Sequence, residues 1–181
     1  MTTNQQFDAA LARCREVFVN KMEDYAPAWR VLRPTSLTDQ IFIKANRIRE
    51  LQMLGGEGCS AVGEGVLPDF IGIVNYGIIG LIQLVLPPTV NPDLDRKRAI
   101  ELYDGFVAKT RALMVAKNHD YGEAWRDMRV SSYVDLILMK ILRTKQIEDH
   151  NGCTLVSEGV DANYMDMVNY AVFGIIKLTE K

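Results

Sequence analysis

Apolar residues recur at intervals of three and four positions along most of the chain, which is the spacing of one face of an α-helix. The first such stretch predicts a helix that ends near Tyr25, and a similar stretch predicts another that ends near Tyr121. Two further apolar helices are predicted at 67–84 and 162–178, each after a loop that contains glycine. Alternation of apolar and polar residues, the pattern of a half-buried strand, is nearly absent. We therefore predict an all-α protein.

A Ser-x-x-Asp motif occurs in the middle of each half of the chain. Ser36 with Asp39, and Ser132 with Asp135, resemble a capping box in which Asp replaces Glu. Each motif predicts the start of a further helix of about five turns. The two aspartates are interpreted as helix caps rather than as catalytic groups.

The chain consists of two copies of one unit. KMEDYAPAWR at 21–30 matches KNHDYGEAWR at 117–126, and the match continues at the same offset through the following helix. After a loop that is shorter in the second copy, the match resumes with Val-Asn-Tyr at 74–76 and 168–170. We predict six main helices, arranged as two tandem three-helix repeats packed in one pseudo-twofold helical bundle.

The join between the copies is rich in proline. Two prolines at 87–88 stop the third helix, and Asn91-Pro92 predicts a cap followed by proline at the first position of the fourth helix. The first repeat then covers 1–88 and the second covers 89–181, and together they form one compact helical domain.

The apolar run at 70–86 is hydrophobic enough to suggest a membrane span. It falls short of the roughly 20 residues that a bilayer requires. The matching run in the second copy contains Asp166 and Lys177, and charges of this kind are rare in lipid. We therefore predict a core helix of a soluble protein and no membrane partner.

Composition narrows the class further. The 181 residues, 48% hydrophobic and 24% charged, are enough for a buried core, and the net charge of −2 offers no basic excess for extended nucleic acid. Three cysteines without Cys-x-x-Cys spacing indicate a reducing compartment. The N-terminus lacks the pattern of an export signal, so we expect a cytoplasmic protein.

Charged side chains fall within the apolar stripe of the second helix of each copy. On a helical wheel, Lys44 and Lys140 lie in that stripe, and Arg47 and Arg143 lie at its edge. A buried charge is costly unless it is paired or bound to an ion. These side chains must therefore meet an acid, a metal or the phosphates of a ligand.

The third helices offer acids for such pairing. Glu158, if the helix reaches back that far, shares the buried face with Asn169, and Glu64 has the same relation to Asn75. Internal ion pairs of Glu64 with Lys44, and of Glu158 with its matching lysine, are as well supported as a ligand site.

The Asp-Tyr element at the end of the first helix of each copy combines an ammonium group, a carboxylate and aromatic rings. A cation for phosphate, an acid for a divalent metal and a ring for stacking are what a nucleotide site requires. By ordinary burial preference, tryptophans in such positions are more often core packing than platforms for a base. The residues are Lys21, Asp24, Tyr25 and Trp29 in the first copy and Lys117, Asp120, Tyr121 and Trp125 in the second.

The motifs K-x-x-D-Y-x-x-A-W-R, S-x-x-D-x-x-x-x-K-x-x-R, E-G-V and V-N-Y occur in both copies. Together they resemble the nucleotide modification associated domain of the first type, a family long catalogued as a domain of unknown function. That family is in turn distantly similar to the MazG-like and dimeric dUTPase-type all-α nucleoside triphosphate pyrophosphohydrolases, in which carboxylates of neighbouring helices hold Mg²⁺. The resemblance implies a nucleotide as small-molecule partner and Mg²⁺ as cofactor, and because related folds dimerise, a homodimer is a further expectation.

The chain departs from that pattern at the acidic pair before the Asn-Tyr element. The first copy has Asp69 followed by Gly72, whereas the second has Asn163 followed by Asp166. Each copy therefore keeps one half of an i, i+3 pair. Either the metal site has decayed, or the two halves complement each other across the pseudo-twofold axis.

The resemblance implies a Mg²⁺-dependent enzyme that cleaves a nucleoside triphosphate to the monophosphate and pyrophosphate. Its expected metal ligands are Glu64, Asp69, Asp120, Glu158 and Asp166, of which Glu158 and Asp166 are the expected catalytic residues, with Asp24 as a first-copy counterpart. Its expected phosphate-binding residues are Lys21, Lys44, Arg47, Lys117, Lys140 and Arg143. Its expected base-stacking residues are Tyr25, Trp29, Tyr121 and Trp125.

The split acidic pair favours an alternative, a non-catalytic nucleotide-binding or interaction module with a degenerate metal site. A third hypothesis is an assembly subunit that uses a surface of paired helices.

Overall fold

Six α-helices account for most of the chain in the structure, a computed structural model that describes residues 1–180. No strand occurs within those residues, so the all-α prediction is confirmed. Short 3₁₀ helices at Ala28–Val31, Glu57–Cys59 and Ala124–Asp127 interrupt the loops. The helices are α1 (Thr3–Tyr25), α2 (Pro34–Leu54), α3 (Leu67–Val85), α4 (Arg96–Tyr121), α5 (Val130–Asp149) and α6 (Val160–Thr179).

The two apolar helices, α3 and α6, form the centre of the bundle and run antiparallel. Glycines on each helix face side chains of the other: Gly80 lies against the ring of Tyr164, and Gly174 lies against the ring of Phe70. A side chain at Gly174 would meet the Phe70 ring at 2.7 Å, closer than real contacts. Glycine therefore sets the close approach of the two helices.

The remaining helices surround this pair with pseudo-twofold symmetry. α2 packs on α3 and α5 packs on α6, while α1 and α4 each contact both central helices. α2 and α5 also pack on each other, and an ion pair of 2.9 Å between Asp39 and Lys145 joins them. The predicted bundle of two three-helix repeats is confirmed.

The predicted capping boxes are wrong. α2 begins at Pro34 and α5 at Val130, two residues before each Ser-x-x-Asp motif, and neither helix has a side-chain cap. Proline is pre-organised for the first helical position, so α2 starts there and Ser36 lies inside its first turn. Asp39 and Asp135 instead pair with basic residues of the opposite repeat.

The predicted start of the fourth helix is also wrong. Asn91 forms a local turn with Thr89, whose hydroxyl accepts a hydrogen bond from the Asn91 backbone N–H at 3.2 Å. The chain therefore turns once more, and α4 begins at Arg96 with Asp95 as its N-cap. The Asp95 carboxylate accepts a hydrogen bond from the backbone N–H of Arg98 at 2.8 Å.

α3 is the one helix among residues 1–180 that is long and apolar enough to cross a membrane, with a mean hydropathy of 1.5. Within the bundle, 72% of its most apolar window is buried. Burial of this kind is typical of a core helix, as the sequence predicted.

Candidate functional site

A pocket of about 700 Å³ opens in the first repeat between α1, α3 and the turn that follows α1. We call it the first pocket. Phe18, Trp29 and Tyr76 contribute aromatic walls, and the exposed Tyr25 lies at the edge. Its volume falls in the range of pockets that hold small molecules, about 300–1,000 Å³.

The turn that carries Trp29 is held in place from α3. The Gln83 amide donates hydrogen bonds to the backbone carbonyls of Arg30 at 2.8 Å and Leu32 at 2.6 Å. The Trp29 ring is half-buried and tilted by 38° against Phe18, with 6.2 Å between the ring centroids. No other ring is stacked on Trp29 among the described residues, and its buried N–H has no acceptor there.

Two lysines line the first pocket. Lys21 is exposed at the end of α1 and forms no ion pair within residues 1–180. Lys44 extends from α2 across Gly72, where any side chain would lie only 2.4 Å from its Cε atom. The Lys44 ammonium lies 3.7 Å from the carboxylate of the buried Asp69. Glycine at position 72 therefore leaves room for the Lys44 side chain beside the pocket.

Arg47 is not part of this pocket but fixes the loop before α3. Its guanidinium forms an ion pair with Asp69 and donates to the backbone carbonyl of Glu64 at 2.9 Å and to the hydroxyl of Ser60 at 3.2 Å. A guanidinium that has so many partners is committed to structure. The contacts of Arg47 therefore hold the loop before α3 in place.

The second repeat contains an equivalent but smaller pocket of about 250 Å³, which we call the second pocket. Lys117, Tyr121, Trp125 and Tyr170 line it, at positions that match residues of the first pocket. The pseudo-symmetry of the chain therefore extends to its pockets.

Asp166 occupies the position of Gly72 in the second pocket. Its two carboxylate oxygens lie 2.5 Å from the Lys117 ammonium and 2.8 Å from the Lys140 ammonium. Asp166 is 4% exposed and Lys140 is 8% exposed, so this pair is buried. Partial burial lowers the pKa of Lys117, but the hydrogen bond to Asp166 and the negative charges of Asp166 and Glu158 together raise that pKa above its ordinary value.

Phe173 accounts for part of the smaller volume. Its ring stacks on Trp125 with 4.6 Å between centroids and an interplanar angle of 14°. The matching residue in the first pocket is Ile79, which leaves Trp29 without such a partner. The alternative interpretation of the tryptophans as core packing is therefore confirmed for Trp125, which is 6% exposed.

The expected glutamate pairs are wrong. α3 and α6 begin after Glu64 and Glu158, so both glutamates lie in the preceding loops with exposed side chains. Lys44 pairs with Asp69 and Lys140 pairs with Asp166 instead. The lysines do point into the bundle, as the helical wheel predicted, but their partners come from the helices themselves.

The expected metal ligands are distributed over separate places. Asp24 and Asp120 are exposed at the ends of α1 and α4, and no group of three or more His, Cys, Asp or Glu side chains able to hold a metal ion occurs in residues 1–180. Asp69 and Asp166, roughly 13 Å apart along the antiparallel helices at 1.5 Å per residue, each contact cations of their own repeat. The structure therefore does not form the composite site across the axis. The assignment of these residues to Mg²⁺ stays a prediction.

Arg143 lies in a third place, an open cleft between α5 and the exposed loop that precedes α6. It forms no ion pair within residues 1–180, because Asn163 replaces the aspartate that binds Arg47 in the first repeat. The Asn163 amide donates to the Gly159 carbonyl at 2.8 Å instead.

The Asn-Tyr element packs helices together. The Asn75 amide donates to the Cys14 carbonyl at 3.1 Å and accepts from the Tyr103 hydroxyl at 2.7 Å. Asn169 makes the equivalent bond to the Thr110 carbonyl at 3.2 Å. Both amides therefore hold helices together through their N–H groups, and the buried Oδ1 of Asn169 has no partner among the described residues.

The sequence interpretation aligned Gly72 with Asp166 but interpreted the difference only as a split acidic pair, and it missed Ile79 and Phe173. The alignment of the two repeats also places Ile79 against Phe173, which is the signal that would have identified them. The carboxylate of Asp166 and the ring of Phe173 are absent from the matching positions of the first repeat, and these differences distinguish the two pockets.

Comparison with known proteins identifies the family but no individual relative. No curated protein and no protein of solved structure matches the chain. The family model described as nucleotide modification associated domain 1 matches residues 21–84 and 117–178, one match in each repeat and together more than half of the chain. The chain therefore belongs to the nucleotide modification associated domain 1 family.

Proposed function

We propose that the chain binds a nucleotide in the first pocket, with its phosphates beside Lys21 and Lys44. One observation carries the proposal: Gly72 stands where the second repeat has Asp166, whose carboxylate binds both matching lysines at 2.5 Å and 2.8 Å. In the first pocket Lys21 forms no ion pair within residues 1–180, and Lys44 meets only Asp69, at 3.7 Å. Ammonium groups beside a pocket favour an anionic ligand.

The walls of the first pocket support a ligand that carries an aromatic ring as well as a negative charge. Trp29 has no stacked partner within residues 1–180, and Phe18 and Tyr76 contribute further apolar surface. Planar rings gain about 0.5–1.5 kcal/mol beyond area burial when they pair with aromatic side chains. A base beside Trp29 and phosphates beside the lysines fit both parts of the pocket.

Family membership agrees with this proposal, because the family is described by its association with nucleotide modification. Hydrolysis with Mg²⁺ is the finer prediction that came from the resemblance. The contacts of Asp69 and Asp166 favour the alternative of a binding module, since basic side chains take up both carboxylates. We therefore place nucleotide binding first and let the same experiment test hydrolysis.

The test is a titration of a Trp125→Phe variant, in which Trp29 is the single tryptophan, with a panel of standard and modified nucleoside mono- and triphosphates. We expect at least one nucleotide to change the Trp29 fluorescence, and the nucleoside without phosphates to bind at least ten-fold more weakly. The double change Lys21→Ala and Lys44→Ala removes both ammonium groups, so it is expected to cost a similar factor.

The matched control is Lys97→Ala, because Lys97 is exposed on α4 and does not line the first pocket. An equal loss of affinity in the Lys97 variant, or no response to any nucleotide, would contradict the proposal. Pyrophosphate release in the same samples with Mg²⁺ or Mn²⁺ would add hydrolysis. Binding with the nucleotide recovered intact would identify a binding module.

A further inference from the structure

The two pockets occupy equivalent places in the two repeats but differ in charge and in ring content. Lys117 and Trp125 of the second pocket repeat Lys21 and Trp29 of the first. On the central helices, Gly72 and Ile79 of α3 correspond to Asp166 and Phe173 of α6, and beside the pockets Asp69 corresponds to Asn163. Phe18 of α1 corresponds to Met114 of α4. The second pocket is therefore an altered copy of the first.

Asp166 places an anion inside the second pocket. Each of its carboxylate oxygens contacts one ammonium group, at 2.5 Å for Lys117 and 2.8 Å for Lys140. These lysines correspond to the pair that lines the first pocket or extends toward it. A ligand phosphate in the second pocket would have to displace a buried carboxylate and then lie against its negative charge.

Phe173 closes the same pocket to a ring. It stacks on Trp125 and contacts Phe7 edge-on, with 5.6 Å between those centroids. A base could stack on that face of Trp125 only after Phe173 had moved. In the second pocket, the chain's own residues therefore occupy both the place of a phosphate beside the lysines and the place of a base on Trp125.

We infer that the chain binds one nucleotide per molecule, because Asp166 and Phe173 act as built-in substitutes for the phosphate and the base in the second pocket. This inference rests on the proposed function of the first pocket. According to this inference, the residue at position 72 in the first repeat, and at position 166 in the second, determines whether a phosphate can bind in that pocket.

The decisive variant gives the second repeat the residues of the first: Asn163→Asp, Asp166→Gly and Phe173→Ile. Asp at position 163 would pair with Lys140 and Arg143 as Asp69 pairs with Lys44 and Arg47, so the buried lysine keeps a carboxylate partner. A second set of measurements uses Trp29→Phe, which leaves Trp125 as the single reporter of the second pocket.

Calorimetric titration with the nucleotides that bind the wild-type chain is expected to give one site per chain. The triple variant is expected to give two, and Trp125 is expected to respond to nucleotide only when the triple change is present. Gly72→Asp, which supplies the first pocket with the missing carboxylate, is expected to remove the wild-type site. Gly105→Asp on α4 is the matched control, because Gly105 is exposed with no atom within 4 Å of an added Cβ.

Two nucleotides per wild-type chain, or a Trp125 response in the chain without the triple change, would overturn the inference without any need for the variant to fold. A triple variant that melts cooperatively and still binds one nucleotide would overturn it as well. Failure of the wild-type chain to bind any nucleotide would instead refute the proposed function, so the two failures are distinguishable.

Discussion

The first and second repeats share their helices, their lysines and their tryptophans, yet they present different pockets. Each repeat keeps one buried carboxylate before its Asn-Tyr element, Asp69 in the first and Asp166 in the second. The positions differ by three residues, which is nearly one turn of helix. A shift of one helical turn therefore changes the role of the carboxylate. Asp69 binds the arginine that holds the loop before α3, whereas Asp166 neutralises the lysines of the second pocket.

The largest expected difference concerns how much each of the two buried carboxylates contributes to the stability of the fold. Asp166→Ala leaves the buried Lys140 without a partner, so we expect the free energy of unfolding to fall by about 3 kcal/mol. Asp69→Ala affects Lys44 and Arg47, whose side chains are more exposed, and we expect a loss of about 1–2 kcal/mol. Urea denaturation at neutral pH measures both.

Asp39→Ala is the control for these two variants. It removes an exposed ion pair with Lys145, which is worth less than about 1 kcal/mol. A larger loss of stability for Asp69→Ala than for Asp166→Ala would contradict the prediction that the more buried ion pair, in the second repeat, contributes more to stability.

The second prediction exchanges the residues that set pocket size. Phe173→Ile removes the ring that stacks on Trp125, and we expect a loss of about 1–2 kcal/mol with easier quenching of Trp125 by acrylamide. Ile79→Phe is the reverse change in the first pocket, where we expect Trp29 to become better protected from acrylamide. Unchanged quenching of both tryptophans would contradict the role of Phe173 and Ile79 in setting the size of the two pockets.

The third prediction concerns acid sensitivity, which we expect only in the turn of the second repeat. Hydrogen bonds from Thr3, Arg126 and Asn118 lower the pKa of Glu123 to about 2, whereas the first repeat has Pro27 at the matching position. A folded pKa below the ordinary value stabilises the fold above pH 4.5, and this contribution is lost as the pH falls through about 2. Glu123→Gln should therefore lose less stability than the wild type between those pH values.

Asp127→Asn is the control for Glu123→Gln, because Asp127 is exposed and has no ion-pair partner in the described part of the chain. Midpoints of urea unfolding at pH 6 and near pH 2 give the comparison. Parallel pH profiles for the wild type and Glu123→Gln would contradict the assignment.

The smallest expected effect compares the thiols of equivalent loops. Cys59 donates a hydrogen bond to the Leu54 carbonyl at 3.1 Å, whereas the exposed Cys153 has no side-chain hydrogen bond within residues 1–180. A thiol reagent should therefore modify Cys153 somewhat faster than Cys59. Burial raises the pKa of Cys14 to about 12, so Cys14 should react only after unfolding. Three equally fast thiols in the native chain would be the contrary result.

The fold could be predicted from the sequence because two independent signals agreed. Helical spacing of apolar residues located the helices, and the duplication required both halves to pack in the same way. Helix starts were harder to predict. Ser36 and Asn91 have the chemistry of caps, yet α2 begins at Pro34 and Asp95 is the N-cap of α4. Several residues near each start have capping chemistry, and tertiary packing selects among them.

The candidate site was predicted less well than the fold. The helical wheel correctly turned Lys44 and Lys140 inward, but their partners were assigned to Glu64 and Glu158. That assignment assumed helices that reach back to the glutamates, and a shift of two or three residues at a helix start moves a side chain from the core into solvent. Which pocket stays open depends on side-chain contacts such as Phe173 on Trp125, which the helical spacing of apolar residues does not specify.

The most direct test of the account is the affinity of the Gly72→Asp chain for nucleotides that bind the wild-type chain, measured by calorimetry. The account predicts at least a ten-fold loss, because aspartate at position 72 would pair with Lys21 and Lys44 as Asp166 pairs with Lys117 and Lys140. Gly72→Ala separates charge from bulk and should lose less affinity than Gly72→Asp. Wild-type affinity in a folded Gly72→Asp chain would contradict the account.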